Sequence, residues 1–249
     1  IISINNSCLI IQFINIVCFK FIYEVIFNNF MHNTVKNLLD IDNNIKVHLK
    51  KLNINSKPKI IAVSKTFKID KILPLIEYGH IHFGENKVQE AIEKWTNIKK
   101  INLQIKLHMI GKLQTNKVKY AVRIFDYIHS VDSAKLAKKI ADEQNKINKK
   151  IKVFLQINIG DEDQKSGINK AEANQLVTYC KEIGLDLIGL MCIPPANVDP
   201  NNYFEEMNRL NKSFGFEDLS MGMSSDYLIA AKHFATYLRV GSSIFGFRN

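Results

Sequence analysis

From residue 59 onward, short apolar runs alternate with longer segments in which apolar residues recur every three or four positions. The short runs predict buried strands and the longer spacing predicts amphipathic helices. The predicted strands span residues 60–63, 81–83, 105–110, 127–131, 153–159, 187–191, 218–221 and 237–240. The predicted helices span residues 69–78, 87–95, 115–122, 133–144, 170–183, 203–214 and 225–234.

Strict alternation of strands and helices indicates parallel pairing with right-handed crossovers. Eight such units within about 190 residues predict an α/β fold, a (β/α)8 TIM barrel. A further helix-like pattern over residues 33–52 is expected to pack outside this barrel. An open doubly wound sheet is the alternative, although no glycine-rich dinucleotide loop follows the first strand. We expect residues 31–249 to form one domain.

Residues 1–30 are richer in Ile, Phe and Asn than the rest and do not begin with Met. Polar residues interrupt their apolar stretches at Gln12, Asn15, Lys20 and Glu24, which argues against a membrane-spanning helix. We interpret this stretch as an extension upstream of a start at Met31. A targeting segment or a peripheral helix is the alternative.

The formal net charge of +10 comes from 34 basic residues, of which 30 are lysines spread along the chain. No basic block with interleaved aromatic residues is present, so nucleic acid is not an expected partner. The four cysteines, at positions 8, 18, 180 and 192, show no zinc-ligand spacing and no disulfide framework. This cysteine usage fits a reducing, cytoplasmic location, and no metal site is expected.

The predicted strands end on polar residues, and in a parallel barrel these ends share one mouth. After strands seven and eight the chain reads SMGMSSD and RVGSSIFG. Exposed backbone N–H groups and serine hydroxyls at such ends suit a phosphate dianion. The alternative is that Ser224 or Ser225 only caps the next helix.

The first predicted strand lies in PKIIAVSKTF and delivers Lys65 at its end. A lysine at a strand end is often only a solvated terminus. Opposite a phosphate site, however, its amine suggests a Schiff base with an aldehyde cofactor.

Seven blocks between Lys59 and Phe247 make the sequence recognisable, in the order AVSKT, HFGENKVQEA, HMIGKLQTNKVK, LQINIGDEDQKSG, GLMCIPP, LSMGMSSD and RVGSSIFG. Together they resemble the pyridoxal phosphate homeostasis family, single-domain relatives of the alanine racemase N-terminal barrel. The family pattern has aromatic residues where this chain has Leu107 and Met109.

The resemblance implies that pyridoxal 5'-phosphate (PLP) is held as a Schiff base on Lys65. It further implies that Arg239 approaches the pyridine nitrogen. Asn86 and His108 are weaker candidates for lining the pocket. The phosphate would be held by Ser224, Ser225, Gly241 and Ser242.

The function implied by the resemblance is storage, delivery or buffering of PLP with little or no catalysis, because a guanidinium beside the pyridine nitrogen weakens its electron-withdrawing power. The second domain and tyrosine base of alanine racemase are not expected here. The alternatives are a PLP-dependent racemase-like enzyme and an aldolase-like enzyme acting on sugar phosphates. The expected partners are PLP and PLP-dependent apoenzymes, and we expect a monomer.

Overall fold

The computed structural model describes residues 31–162 and 166–247, so the interpretation of residues 1–30 lies outside the described residues. Eight parallel strands form a closed barrel in chain order, and β8 pairs with β1. The predicted barrel is therefore confirmed, and the open sheet is wrong. The strands are β1 Lys59–Val63, β2 His82–Glu85, β3 Lys106–Met109, β4 Tyr127–Val131, β5 Lys152–Ile157, β6 Asp186–Cys192, β7 Asp218–Ser220 and β8 Tyr237–Val240.

The helices surround the barrel at the predicted places. Three of the predicted helices begin with a 3-10 turn, at Ile69–Lys71, Thr115–Lys117 and Lys170–Glu172. The helices are α1 Asn33–Lys51, α2 Leu73–Glu77, α3 Val88–Ile101, α4 Val118–Ile124, α5 Ala134–Lys146, α6 Ala173–Glu182, α7 Asn201–Ser213, α8 Tyr227–Lys232 and α9 Ser242–Phe245.

Helix α1 packs on the outside of the barrel against α8 and α9, as predicted. The buried residues of α1 recur every three or four positions, so they form one apolar stripe. The side-chain amide of Asn37 also donates a hydrogen bond of 2.9 Å to the carbonyl of Ile244. Helix α1 therefore supports α9, which directly follows β8.

The alternation of side chains along each strand divides the core into two layers. Leu107 and Met109 of β3 belong to the layer between the strands and the helices. The departures from the family pattern at these positions therefore lie outside the barrel. A smaller cluster fills the barrel interior with Ile61, Tyr127, Phe154, Met191 and Tyr237.

Within residues 31–162 and 166–247, no helix has both the length and the apolar composition needed to cross a membrane. The same residues contain no group of three or more His, Cys, Asp or Glu side chains placed to hold a metal ion.

Candidate functional site

A cavity of about 890 Å³ opens at the carboxyl ends of the strands. The loops after β1, β2, β3, β6, β7 and β8 all contribute to its walls. Seven of the eight residues predicted for the site line this cavity, namely Lys65, Asn86, Ser224, Ser225, Arg239, Gly241 and Ser242. The closed barrel brings them together because parallel strands all end at the same mouth.

A second cavity of about 680 Å³ lies on the outside of the barrel, beside α6. Its described lining includes the carboxylates of Asp132, Glu172 and Glu182 and no lysine or arginine. This cavity would repel a phosphate dianion, so the cavity at the mouth is the better candidate for an anionic ligand.

The loops after β7 and β8 are joined through Ser224. Its hydroxyl oxygen accepts hydrogen bonds from the N–H groups of Gly241 at 3.2 Å and Ser243 at 3.3 Å. Helix α8 begins after Asp226, whose carboxylate accepts from the N–H of Met223 at 2.5 Å. Ser224 therefore links the two loops and does not cap α8. Its hydroxyl proton remains a donor that can be directed into the cavity.

Gly222 allows this loop to turn into the mouth. Its φ is +88°, and a β-carbon at this position would lie 2.4 Å from the β-carbon of Ala230. Both the left-handed backbone and the close approach to α8 therefore require glycine.

Lys65 follows β1 by two residues and is half-buried in the cavity wall. The next residue, Thr66, has a φ of +68°, and its N–H donates to the carboxylate of Glu90 at 2.5 Å. The N–H of Thr66 is thereby held by helix α3, which directs the loop carrying Lys65.

Lys94 of α3 reinforces the same loop. Its ammonium group donates to the carbonyl of Ser64 at 2.9 Å and forms ion pairs with Glu85 at 2.9 Å and Glu90 at 3.0 Å. Glu85 is buried and also accepts from the Ser64 hydroxyl at 2.8 Å and from the indole of Trp95 at 3.0 Å. Burial raises the pKa of Glu85, although Lys94 opposes this effect.

Arg239 of β8 is almost fully buried at the base of the cavity. Its guanidinium donates to the hydroxyl of Ser220 at 2.7 Å and to the carbonyl of Cys192 at 2.8 Å. Burial lowers the pKa of Arg239. No carboxylate is among the described residues that line the cavity. The cavity therefore presents a buried cation that an anionic ligand would complement.

Cys192 is buried beside this guanidinium, and burial raises the pKa of its thiol to about 12. The thiol is thus protonated near neutral pH, because the effect of burial exceeds the opposing effect of the Arg239 guanidinium.

His108 differs from the other predicted residues because it does not line the cavity. It points into the barrel interior below the cavity, where its ring lies 2.9 Å from the rings of both His82 and His129. Among the described residues, hydrogen bonds connect it to the cavity through His129 and Ser220, which reach Arg239. The strand alternation that directs Leu107 and Met109 outward directs His108 inward.

Sequence reasoning missed several residues that support the site. Lys94 lies on a helix whose polar face carries other lysines, so no pattern distinguishes it. His129 and Ser220 could have been found from their inward positions on β4 and β7, once the strand registers were known.

The chain matches the family described as alanine racemase, N-terminal domain, over residues 37–249. The pyridoxal phosphate homeostasis protein of Haemophilus influenzae is 36% identical over 230 residues, which cover 87% of this chain and 97% of that protein. The protein of the same name from Pasteurella multocida is 34% identical over 229 residues, which cover 86% of this chain and 97% of that protein. The chain belongs to the pyridoxal phosphate homeostasis protein family.

Solved structures that are similar to this chain have the same fold. PipY of Synechococcus elongatus is 32% identical, and the match covers 81% of this chain and 100% of PipY. The TM-score is 0.73 for the structure without PLP and 0.70 for the structure with PLP bound. An alanine racemase of Clostridium difficile is 17% identical with a TM-score of 0.66, covering 87% of this chain and 57% of its own. That likeness shows the shared barrel alone.

The cavity suits the cofactor of the pyridoxal phosphate homeostasis family. It offers two cationic side chains, Lys65 and Arg239, together with the serine hydroxyls of the loops after β7 and β8. Because β8 pairs with β1, the loop that carries Ser242 lies beside the loop that carries Lys65, so the expected placement of the serines opposite Lys65 is wrong. The side-chain oxygen of Asn86 is buried and has no hydrogen-bond partner among the described residues. A ligand with a donor group would therefore satisfy a buried acceptor in the cavity wall.

Proposed function

We propose that this protein binds PLP in the cavity at the mouth of the barrel and stores, delivers or buffers it, with little or no turnover. The observation that carries the proposal is that Lys65 and Arg239 line the same cavity, whose described lining has no carboxylate. PipY, which shares the fold and 32% of the sequence, has been solved with PLP bound.

The proposal assigns a role to every predicted residue except Asn86, which lines the cavity wall. The amine of Lys65 would hold the aldehyde of PLP through a C=N bond, formed with loss of water. The hydroxyls of Ser224 and Ser225, together with the loop at Gly241 and Ser242, bind the phosphate. His108, which lies below the cavity, acts only indirectly.

Arg239 supports a binding function over a catalytic one. Bound PLP supplies an electron-withdrawing pyridine ring, and that ring is most effective when a carboxylate keeps its nitrogen protonated. The buried guanidinium of Arg239 instead disfavours a proton on the nitrogen beside it.

A racemase also needs a second acid–base group beside the lysine. The described lining contains no tyrosine, histidine, aspartate or glutamate that could serve. The racemase-like alternative therefore has less support than binding alone.

The test of binding is an absorption spectrum of the purified protein with added PLP. The wild-type protein and Lys68→Ala, which changes an exposed lysine outside the cavity, should show the band of a C=N bond. Lys65→Ala should lack that band, and borohydride should label the peptide that contains Lys65. A labelled peptide without Lys65 would refute its assignment.

Turnover is tested separately by exchange of the α-proton of amino acids in deuterated water. We expect exchange no faster than with free PLP. Exchange well above that rate for any amino acid would favour the racemase-like alternative.

We further propose that the protein acts in the cytoplasm as a monomer and transfers PLP to apoenzymes that depend on it. The free, buried thiols of Cys180 and Cys192 fit a reducing compartment. Restoration of activity to an apoenzyme by the loaded protein, but not by loaded protein after borohydride treatment, would support transfer. Sedimentation analysis tests the monomer.

A further inference from the structure

We propose that His82, His108, His129 and Ser220 form one directional hydrogen-bonded chain inside the barrel, and that this chain positions the guanidinium of Arg239 from below. The hydrogen-bonded chain is a property of the protein alone. Its effect on the ligand rests on the proposed binding of PLP.

The hydrogen-bonded chain runs from the amino end of the barrel to the floor of the cavity. His82 Nδ1 lies 2.9 Å from His108 Nε2, and His108 Nδ1 lies 2.9 Å from His129 Nε2. His129 Nδ1 lies 2.8 Å from the hydroxyl oxygen of Ser220, to which Arg239 donates at 2.7 Å. Every link has the length of a normal hydrogen bond.

The contact with Arg239 sets the direction of the chain. The oxygen of Ser220 accepts from the guanidinium, and its one proton is then free to donate to His129 Nδ1. The opposite direction would make Ser220 accept twice and leave its buried hydroxyl proton without a described acceptor. A buried donor without a partner is costly, so Ser220 donates.

The remaining protons follow from this first link. His129 accepts at Nδ1 from Ser220 and donates through Nε2 to Nδ1 of His108. His108 in turn donates through Nε2 to Nδ1 of His82. All three imidazoles are then neutral with the proton on Nε2. The electron-rich Nδ1 side of each ring faces Arg239, which stabilises the buried cation.

The charges around the chain also favour neutral rings. Arg239 lies at one end and disfavours a charge on His129. At the other end His80, Lys59 and Lys106 disfavour a charge on His82, and Asp126 opposes them. Burial is the largest effect, and it lowers the pKa of His82 to about 4 and those of His108 and His129 well below the usual value.

The hydrogen-bonded chain therefore holds Arg239 in position and does not conduct protons to the cavity. A proton could enter at the upper end only if Arg239 released one, and a guanidinium retains its protons at any physiological pH. Its role is to hold one terminal nitrogen of Arg239 in place while the carbonyl of Cys192 holds the other.

The first test is nitrogen-15 NMR of the imidazoles in the protein without added ligand at about pH 7. We expect His82, His108 and His129 to be neutral and protonated on Nε2. Replacing each in turn by Gln assigns the signals, and His233→Gln removes a half-buried histidine outside the chain as the control. Protonation of His108 or His129 on Nδ1 would overturn the proposal.

The second test is Ser220→Ala, which removes the link between Arg239 and the histidines. We expect His129 to lose its single tautomer, the affinity for PLP to fall about tenfold, and the absorption maximum of the bound cofactor to shift. Ser220→Thr, which keeps the hydroxyl, should restore the tautomer and most of the affinity. A merely structural role would change stability without moving the tautomer or the spectrum.

The outcomes separate this proposal from the proposed function. If the wild-type protein does not bind PLP, the proposed function fails, whereas the NMR result still decides the direction of the chain. If the wild-type protein binds PLP and Ser220→Ala binds it equally with an unchanged spectrum, positioning of Arg239 is refuted. Should Ser220→Ala fail to fold, His129→Gln provides the same comparison one link further from Arg239.

Discussion

The hydroxyl of Ser224 accepts a hydrogen bond from the N–H of Gly241 and so joins the loops that follow β7 and β8. These two loops supply the proposed phosphate contacts. Ser224 therefore helps to fix the separation of the loops, together with the backbone hydrogen bond of 2.9 Å from the N–H of Arg239 to the carbonyl of Gly222.

Ser224→Ala should weaken PLP binding about tenfold or more, because it removes both a phosphate donor and the link between the loops. Equilibrium titration followed by absorbance measures the effect. Ser213→Ala, on the exposed surface of α7, should bind as the wild-type protein does. Equal affinities for the two variants would contradict the assigned role of Ser224.

Lys94→Met should lower the free energy of unfolding by roughly 3 kcal/mol at neutral pH, because it leaves the buried carboxylate of Glu85 without its cation. Denaturation in urea measures this change. Lys100→Met, on the exposed face of the same helix, should have little effect.

A double variant, Lys94→Met with Glu85→Gln, should be more stable than the sum of the single changes predicts, because neither charge then remains buried. Strict additivity would show that the ion pair does not stabilise the loop that carries Lys65.

Gly111→Ala should disturb the cavity wall. A β-carbon at Gly111 would lie 2.5 Å from the carbonyl oxygen of Asn86 and 2.7 Å from its β-carbon. Asn86 must then move, and we expect a loss of stability together with weaker PLP binding. Gly184→Ala is the control, since its φ of +72° causes strain while open space surrounds it. It should lower stability and leave affinity unchanged.

Stability should fall as the pH drops below about 6.5. Burial lowers the pKa of His80 and His82 to about 4 and those of His108 and His129 well below 6.5. Between about pH 4 and 6.5 the unfolded chain therefore binds more protons than the folded protein. The stability is fully present above the unfolded pKa and is lost as the pH falls.

Each such histidine contributes a slope of about 1.4 kcal/mol per pH unit well below its unfolded pKa, so four together approach about 5 kcal/mol per unit. Urea denaturation at a series of pH values measures the slope. His80→Gln should reduce the slope by about 1.4 kcal/mol per pH unit, the contribution of one histidine, and His233→Gln should change the slope much less. A flat profile from about pH 7 to 5 would refute the neutral buried rings.

The period of the apolar pattern determined the elements of this fold. Strands β4 and β8 begin and end where the pattern predicts, since buried parallel strands are nearly continuous apolar runs. The prediction ended α3 too early, at residue 95, although Ile98 and Ile101 continue the helical pattern past Trp95. Lys65 and the serines after β7 and β8 were recognisable because polar residues at strand ends contrast with the apolar runs before them.

Only the tertiary structure decided which polar residues meet. His108 had a place in the sequence pattern, but the direction of its side chain depends on the register of β3, which sends it into the barrel and away from the cavity. The contacts between Ser220 and Arg239, and between Lys94 and the loop at Lys65, join separate units of the barrel. Local periodicity reports which face of an element is apolar, whereas such contacts depend on how the closed barrel brings distant elements together.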